Sequence, residues 1–332
     1  MKARGFGHDL LPFTLYASPL SSDRGVALMM VLWVLVLLSI ISMNFLLSTR
    51  WSSASVRNFK EETEAYYLAL SGFQEALNYI ASDKDPGIDF LDNENNFWTD
   101  NEAQPITGKR VVDDAEVEIR ISDESGKVNI NFANEDRLIK LLAYGGVSKE
   151  DITVIVDSLL DWRDPDKEHH LSGAEDEYYE GLDDSYKAKN GLFSIPEELM
   201  LVKGMKPEYL TGAHEGGHSL LQLITTFGTN KININTVSKE VMEVLGLNEV
   251  EIETILKQRS KDFGGFRFIP QQFSARGLTD MASHDFRIDV TARKLNSPLV
   301  SKVTGVVHRQ STPNGLILKT LYWSERVETV RS

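Results

Sequence analysis

An uncharged and mostly apolar run of 22 residues stands near the start of the chain, from Val26 to Leu47. A helix needs about 20 such residues to cross the hydrocarbon core of a bilayer, so this run is long enough to span a membrane. A secretory signal peptide is the alternative, but its apolar region is usually only about 7–15 residues long and ends in a small-residue cleavage site. The run therefore predicts a membrane anchor.

The apolar pattern continues beyond the anchor. Bulky residues recur at alternating spacings of three and four up to Ile80, and no Pro or Gly occurs from Val26 until Gly72. This period is typical of an amphipathic helix. We therefore expect one continuous helix from Val26 to about Ser82, which at ~1.5 Å per residue would be roughly 85 Å long.

The pattern changes to strand-like alternation in two later parts of the chain. Residues 83–109 are rich in turn formers and acids and predict a loop. One strand is predicted at Val111–Ser122, and three more near the C-terminus, at Phe286–Ala292, Val300–His308 and Leu316–Trp323. Pro313-Asn314-Gly315 predicts the turn between the last two strands.

A helical block of about 150 residues, from Gly126 to Met281, separates the first predicted strand from the other three. The predicted fold class is therefore α+β, with a long N-terminal helix packed on a small antiparallel sheet and a large all-helical domain inserted into that sheet.

The helical block contains an internal repeat. Lys127-Val-Asn-Ile-Asn131 recurs as Lys231-Ile-Asn-Ile-Asn235, and a short helix, a glycine turn and a second helix follow each copy. The helices predicted in this way are Glu135–Leu142, Ile152–Leu160, Lys239–Leu245 and Val250–Arg259.

The amino-acid composition limits the kinds of ligand and site that the chain can have. The chain is 42% hydrophobic and 25% charged, as folded proteins are, and its net charge of −14 argues against nucleic acid as the main partner and favours cations. The absence of cysteine excludes thiolate metal sites, disulfides and cysteine nucleophiles.

An acidic segment, residues 161–184, holds ten of the carboxylates. Asp161, Asp164 and Asp166 surround a proline turn, and Glu175 and Asp176 return after a glycine. Calcium takes six to eight oxygen ligands from such flexible segments, so these five residues are candidate metal ligands, with Asp164, Asp166 and Glu175 or Asp176 preferred. On spacing alone, a solvated acidic surface is the competing interpretation.

Two further motifs are short. His214-Glu-Gly-Gly-His218 matches the H-E-x-x-H zinc protease pattern, but its two glycines oppose the helix that this chemistry needs, which favours a glycine loop. The segment from Asn233 to Phe268 looks like a helix-hairpin-helix DNA-binding module, but Glu249 and Glu251 stand where phosphate would bind, which favours a scaffold.

The N-terminus resembles that of the type IV pilin-like proteins, in which a charged leader and a glycine precede the apolar helix. The resemblance implies that a prepilin peptidase cuts after Gly25 and that Val26 is then N-methylated. Most members have glutamate at mature position five, whereas Met30 stands here. The lack of this glutamate and the D-W-x-D-x-D … G-A-E-D-x-Y-Y run of the acidic segment are similar to the K-type minor pseudopilins of type II secretion systems.

This resemblance implies an organisation and a function. The expected parts are a leader (1–25), a transmembrane and spine helix (26–82), a pilin-like α/β domain (83–125 and 282–332) and the helical insert (126–281). The protein would be a calcium-binding, non-enzymatic subunit of the inner membrane, with its C-terminal domain in the periplasm. It would cap the tip of a short filament that drives the export of folded proteins, and it would assemble with I- and J-type minor pseudopilins to initiate or limit that filament. Its other partners would be prepilin peptidase and the inner-membrane assembly platform, and it would bind no nucleic acid.

Three alternatives to this interpretation remain open. A minor pilin of a type IV pilus is the nearest of them, because it shares the leader and the helix. A membrane-anchored DNA-binding protein and a membrane-anchored H-E-x-x-H metalloprotease are the more distant ones.

Overall fold

The computed structural model describes residues 23–99, 105–214, 216–295, 297–313 and 315–329. The chain divides into two units, of which the first ends at Phe59 and the second runs from Lys60 to Ser332. Residues 1–22, which form most of the predicted leader, lie outside the described residues.

Helix α1 (Asp23–Ala81) begins in the first unit and ends in the second. Every residue from Val26 to Leu47 is exposed. Within the described residues, α1 is the helix that is long and apolar enough to cross a membrane. So many exposed apolar side chains in a row fit a lipid environment better than water, which agrees with a single-pass anchor.

The second unit is built on a five-stranded antiparallel sheet in the order β11-β10-β9-β4-β3. Its strands are β3 (Gly108–Val112), β4 (Ala115–Asp123), β9 (Asp285–Lys294), β10 (Leu299–Thr312) and β11 (Gly315–Thr329). The single strand predicted at Val111–Ser122 is wrong in one respect: the chain turns back at Asp113, whose positive φ of 54° allows the tight β3–β4 turn. A two-stranded hairpin, β1 (Phe90–Leu91) with β2 (Phe97–Trp98), lies in the predicted loop.

The C-terminal half of α1 packs on one face of this sheet. Its buried residues Ala69, Phe73, Ala76 and Ile80 follow the spacing of one helix face, and they form a core with apolar residues of β4, β9 and β10. A Cβ at Gly72 would lie 2.9 Å from Val290 Cγ1, so glycine permits the close approach of helix and sheet.

The insert lies between β4 and β9, which are neighbours in the sheet. Its helices are α2 (Glu135–Tyr144), α3 (Lys149–Arg163), α4 (Asp176–Glu180), α5 (Pro207–Thr211), α6 (Leu220–Leu223), α7 (Lys239–Val244), α8 (Glu249–Gln258) and α9 (Gln271–Ser274), with short 3₁₀ helices at Glu124–Gly126 and Pro196–Leu201. The insert also contains two short parallel strand pairs, which the sequence did not predict. They are β5 (Val128–Asn129) with β6 (Ile224–Thr225), and β7 (Ile232–Asn233) with β8 (Leu278–Asp280).

The repeated Asn-x-Asn motif has the same contacts in both copies. Asn131 Oδ1 accepts a hydrogen bond from the backbone N–H of Phe193 at 2.7 Å, and its Nδ2 donates to the Phe193 carbonyl at 3.0 Å. In the second copy, Asn235 bonds the backbone of Phe266 with the same two distances. Each buried amide therefore fastens a distant segment to the start of its helix pair.

The insert and the sheet are joined by a buried polar network. Asp123, at the end of β4, accepts hydrogen bonds from Asn233, Thr236 and Ser283 at 2.9, 2.8 and 2.7 Å. Burial raises the pKa of Asp123, and these hydrogen bonds oppose the rise. The chain enters the insert after β4 and leaves it before β9, and this network joins both places to the carboxylate of Asp123.

Candidate cation site

The candidate site lies in the loop between α3 and α4. Ser148 caps α3, because its Oγ accepts a hydrogen bond from the Asp151 N–H at 3.2 Å. The helix ends at Arg163, ahead of Pro165, because proline disfavours helical conformation in the residue before it. Asp161 is thereby placed on the buried side of the last turn, and Asp164 follows the helix end.

Asp161 shapes the loop from inside. Its side chain is completely buried, and its Oδ1 and Oδ2 accept backbone hydrogen bonds from His170 at 3.0 Å and from Ala174 at 2.7 Å. The imidazole Nδ1 of His170 also contacts Asp161 Oδ1, and this contact raises the pKa of the histidine. A Cβ at Gly173 would lie 1.9 Å from Asp161 Oδ2, so the loop passes the carboxylate only with glycine at this position.

Three carboxylates converge beside this loop. One oxygen each of Asp164, Asp166 and Glu175 lies within 4.8 Å of the others. Asp164 Oδ1 and both carboxylate oxygens of Glu175 are buried without a hydrogen-bond partner, and the Glu175 residue is only 7% exposed. Buried acceptors are normally satisfied, so this cluster needs a positively charged or hydrogen-bond-donating ligand.

The electrostatics of the cluster point the same way. Burial raises the pKa of Glu175, and the nearby charges of Asp161 and Asp164 raise it further. Burial and the neighbouring Asp166 and Asp161 likewise raise the pKa of Asp164. These carboxylates repel one another, and a bound cation would remove the repulsion. An all-oxygen donor set of this kind fits a hard cation such as Ca²⁺.

The structure places four of the five predicted ligands in two adjoining groups. Asp164, Asp166 and Glu175 come together, whereas Asp161 belongs to an adjoining group with Asp164 and His170. Asp176 is outside both groups: its Oδ1 accepts a hydrogen bond from the Ala188 N–H at 3.1 Å, and its Oδ2 lies 3.4 Å from Lys167 Nζ. Of the two alternatives Glu175 and Asp176, Glu175 is the one that belongs to a described cluster.

Sequence reasoning missed His170 and Lys203 as members of this region. His170 lies within the acidic segment, but no spacing pattern in the sequence marks it as a contact of Asp161. Lys203 is 30 residues away from Gly173, whose carbonyl it bonds, so only the fold could reveal it.

The H-E-x-x-H segment forms a loop in its described residues. Helix α5 ends at Thr211 and α6 begins at Leu220, and residues 212–214 and 216–219 between them are not helical; Glu215 lies outside the described residues. His214 packs against Tyr209, and His218 stacks on Tyr144 with ring centroids 4.5 Å apart. The described histidines thus lack the shared helix face that the zinc protease chemistry requires.

The hairpin that resembles a DNA-binding unit uses one of its acids, Glu251, for helix capping. Glu251 Oε2 accepts a hydrogen bond from the Asn248 N–H at 2.8 Å, and Asn248 Oδ1 accepts one from the Glu251 N–H at 3.0 Å. This reciprocal pair of hydrogen bonds satisfies two backbone N–H groups at the start of α8. One of the two acceptors is the negatively charged side chain of Glu251. The geometry explains why Glu251 stands where a phosphate-binding hairpin would present free N–H groups.

Taken together, the fold and the N-terminus define a class of protein. An apolar helix continues into a helix packed on a small antiparallel sheet, and a helical insert that carries the candidate cation site interrupts that sheet. This is the architecture of a membrane-anchored, pilin-like subunit.

Comparisons with known proteins show what this chain is similar to within this class. Residues 119–213 match the family model described as "Type II secretion system (T2SS), protein K". The Type II secretion system protein K of Pseudomonas aeruginosa PAO1 is 27% identical over 256 residues, which cover 72% of this chain and 73% of that protein. The predicted resemblance to the K-type minor pseudopilins of type II secretion is therefore confirmed.

A solved structure shows the same fold. It is the crystal structure of the GspK-GspI-GspJ complex from the type 2 secretion system of enterotoxigenic Escherichia coli. The match has a TM-score of 0.53 and 16% sequence identity, and it covers 84% of this chain and 99% of that chain. The α+β prediction, with a long N-terminal helix, a sheet and a helical insert, is confirmed by this match.

Proposed function

We propose that the chain is the tip subunit of a type II secretion pseudopilus, anchored in the inner membrane with its C-terminal domain in the periplasm. The observation that carries the proposal is the continuity of α1, whose exposed apolar part precedes the part that packs on the sheet. Such a helix can be held in the bilayer and then joined to the helices of other subunits without unfolding the domain that it carries.

Met30 and the insert support a position at the end of a filament. In the resembled family, an internal subunit uses its glutamate to pair with the N-terminal amine of a neighbour, and Met30 cannot do so. The insert adds residues 124–284 between two adjacent strands, far more than a turn requires. The added domain would block the stacking of a further subunit, and without the glutamate carboxylate there is no group to pair with the amine of that subunit. Both features suit the end of a filament.

The same proposal includes the partners. The neighbouring solved structure contains GspK together with GspI and GspJ, and we extend this assembly to I- and J-type minor pseudopilins for this chain. Copurification of the full-length protein with both partners from detergent-solubilised membranes tests this extension. Recovery of the three proteins in one complex is expected, and persistent separation of the protein from both partners would refute the proposed assembly.

The predicted processing provides the decisive test of the pilin-like role. Intact-mass spectrometry of the protein from cells with and without prepilin peptidase is expected to show peptidase-dependent loss of residues 1–25 and methylation of Val26. An uncut N-terminus in cells with active peptidase would refute the filament role and would indicate an ordinary membrane-anchored protein.

We further propose that the site of Asp164, Asp166 and Glu175 binds calcium. The buried and unpartnered oxygens of Glu175 support this proposal. Removing a carboxylate from water costs free energy, and a bound cation would offset that cost. The bound ion would neutralise the cluster and fasten the loop between α3 and α4. This function is structural, and no enzymatic activity is proposed for the chain.

Calcium binding is tested by titration of the chelator-treated full-length protein in detergent. Saturable binding is expected for the unsubstituted protein and strong weakening for Glu175→Gln, which keeps the shape of the side chain but removes its charge. Glu177→Gln is a matched control, because Glu177 is exposed in the same helix. Equal affinity of the Glu175→Gln variant and the unsubstituted protein would refute this site.

A further inference from the structure

Lys203 lies outside the acidic segment, yet its ammonium group bonds the centre of the candidate loop. Its Nζ donates hydrogen bonds to the carbonyls of Ser172 and Gly173 at 3.1 and 2.9 Å. The same Nζ lies 4.9 Å from the centre of the Tyr178 ring, in α4. One side chain thus contacts the loop both before and after Glu175.

The backbone of Lys203 is held in place independently of its side chain. Its N–H donates to the hydroxyl of the buried Tyr179 at 3.3 Å, and the preceding Val202 is buried in the core of the insert. Lys203 therefore reaches the loop from a fixed part of the fold, which is what a restraining contact requires.

The loop is held between two opposite charges. On one side, the carboxylate of Asp161 accepts hydrogen bonds from the N–H groups of His170 and Ala174. On the other side, the ammonium of Lys203 donates hydrogen bonds to the carbonyls of Ser172 and Gly173. We call this pair of contacts the loop clamp. Because each charge bonds the backbone groups of opposite polarity, the clamp fixes the orientation of the peptide units just before Glu175.

This orientation matters most when no cation is bound. The carboxylates of Asp164, Asp166 and Glu175 repel one another and favour an open loop, and Glu175 directly follows the residues that the clamp holds. A loop that opened would have to be reordered at the moment of binding, and this ordering cost would weaken the affinity.

We infer that Lys203 is a positioning residue for the cation site, and that its ammonium group holds the loop of residues 170–175 in the cation-binding geometry before the ion arrives. The inference rests on the proposed calcium site and adds a residue that contacts none of its three carboxylates in the described hydrogen bonds. Lys203 acts through the backbone and does not coordinate the ion.

The test compares three variants of the full-length protein in detergent. Lys203→Met keeps the length of the side chain but removes its charge and donors, whereas Lys203→Arg keeps both. Lys206→Met is the matched control, because the ammonium group of Lys206 bonds Asp151 (2.7 Å) and Tyr209 (3.3 Å) in the same insert and has no described contact with the loop. Calcium affinity is measured by calorimetry, and amide exchange in residues 167–178 is measured in chelator.

Loss of a charge-assisted pair of hydrogen bonds is expected to weaken calcium binding about tenfold in Lys203→Met. Amide exchange in the calcium-free loop should become faster, Lys203→Arg should restore both properties, and Lys206→Met should change neither. A merely structural lysine would lower the unfolding temperature without changing exchange in the loop selectively. Lys203→Gln gives the same comparison if Lys203→Met does not fold.

The outcomes separate this inference from the proposed function. If the unsubstituted protein binds calcium and Lys203→Met binds it equally or more tightly, the positioning role is refuted while the site stands. If the unsubstituted protein does not bind calcium at all, both the site and the positioning role are refuted.

Discussion

At the scale of single residues, the loop between α3 and α4 depends on one glycine as much as on its acids. Gly173 passes so close to Asp161 Oδ2 that a Cβ would lie 1.9 Å from it. Gly191, in the same domain, has no neighbouring atom closer than 3.7 Å to its added Cβ. The two positions therefore form a matched pair.

We expect Gly173→Ala to destabilise the protein by about 1–3 kcal/mol, because the methyl group must displace either the loop or the buried carboxylate. Calcium affinity should fall as well, since the displaced backbone leads directly into Glu175. Gly191→Ala should change neither property. Chemical unfolding in chelator and calcium titration measure the two effects, and an unchanged Gly173→Ala variant would show that the loop has room that the structure does not contain.

A second residue-scale effect concerns the buried acids around Arg309. The guanidinium of Arg309 bonds both Asp83 and Asp89, and the side chains of all three residues are almost completely buried. Burial raises the pKa of Asp89 to about 7, and Arg309 opposes the rise. One positive charge thus faces two carboxylates, and protonation of Asp89 makes the cluster neutral.

The sign of the resulting pH dependence follows from the raised pKa. The native state holds a proton on Asp89 more tightly than the unfolded state does, so this contribution to stability is present at pH 4 and is lost as the pH rises to about 7. Relative to Asp89→Asn, the unsubstituted protein should lose stability between pH 5 and pH 7 by up to about 1.4 kcal/mol per pH unit. Unfolding in chelator at several pH values measures this difference, and a constant difference would exclude titration of Asp89 in this range.

At the scale of secondary structure, the two copies of the repeat support different parts of the molecule. The first copy adjoins the cation site, and the second adjoins the junction with the sheet. Asn131 bonds the backbone of Phe193, whereas Asn235 bonds the backbone of Phe266. Phe193 stacks on Trp162, next to Asp161 in α3, and Phe266 packs on Phe273 in the second copy.

Replacement of either asparagine by alanine should cost about 1–3 kcal/mol, because each leaves buried backbone groups of the bonded phenylalanine unsatisfied. Only Asn131→Ala should also weaken calcium binding, since only this copy adjoins the cation loop. The two variants act as controls for each other. Equal effects of both on calcium affinity, measured by calorimetry, would mean that the copies do not act separately.

The helices of the repeat could be predicted from sequence because each signal is local. Asn134, Ser148, Ser238 and Asn248 cap the starts of α2, α3, α7 and α8, and the apolar spacing continues from there. The strand pairs β5–β6 and β7–β8 could not, because strands of two or three residues are too short to show a period. The asparagines in and beside β5 contact backbone groups that lie 62–100 residues away in the sequence.

The cation loop was predictable only in part for the same reason. The clustering of Asp161, Asp164 and Asp166 around a proline is a local signal. By contrast, the direction of Asp176 depends on its contacts with Ala188 and Lys167, which the tertiary fold sets. Composition identified a region with excess negative charge, but the fold decides which carboxylates lack partners.

At the scale of the whole molecule, one sheet carries two kinds of attachment. The C-terminal half of α1 packs on the face of the sheet, and the insert is joined at the ends of β4 and β9 through Asp123 and Ser283. The proposed assembly helix and the proposed terminal domain can therefore coexist, because they use different parts of the same sheet.

The proposed terminal position leads to a prediction about Met30. In the resembled family, an internal subunit needs glutamate at mature position five to bind the amine of a neighbour, and a tip subunit has no neighbour that requires it. An unpaired carboxylate within a membrane helix has a cost, but this cost falls towards the end of the helix. Met30→Glu should therefore be processed and should support secretion at the unsubstituted rate, whereas Gly25→Leu, which blocks the predicted cut, should abolish secretion. A complementation assay measures both, and a strong defect of Met30→Glu with normal processing would argue against the tip position, because it would mean that Met30 itself contacts an essential neighbour.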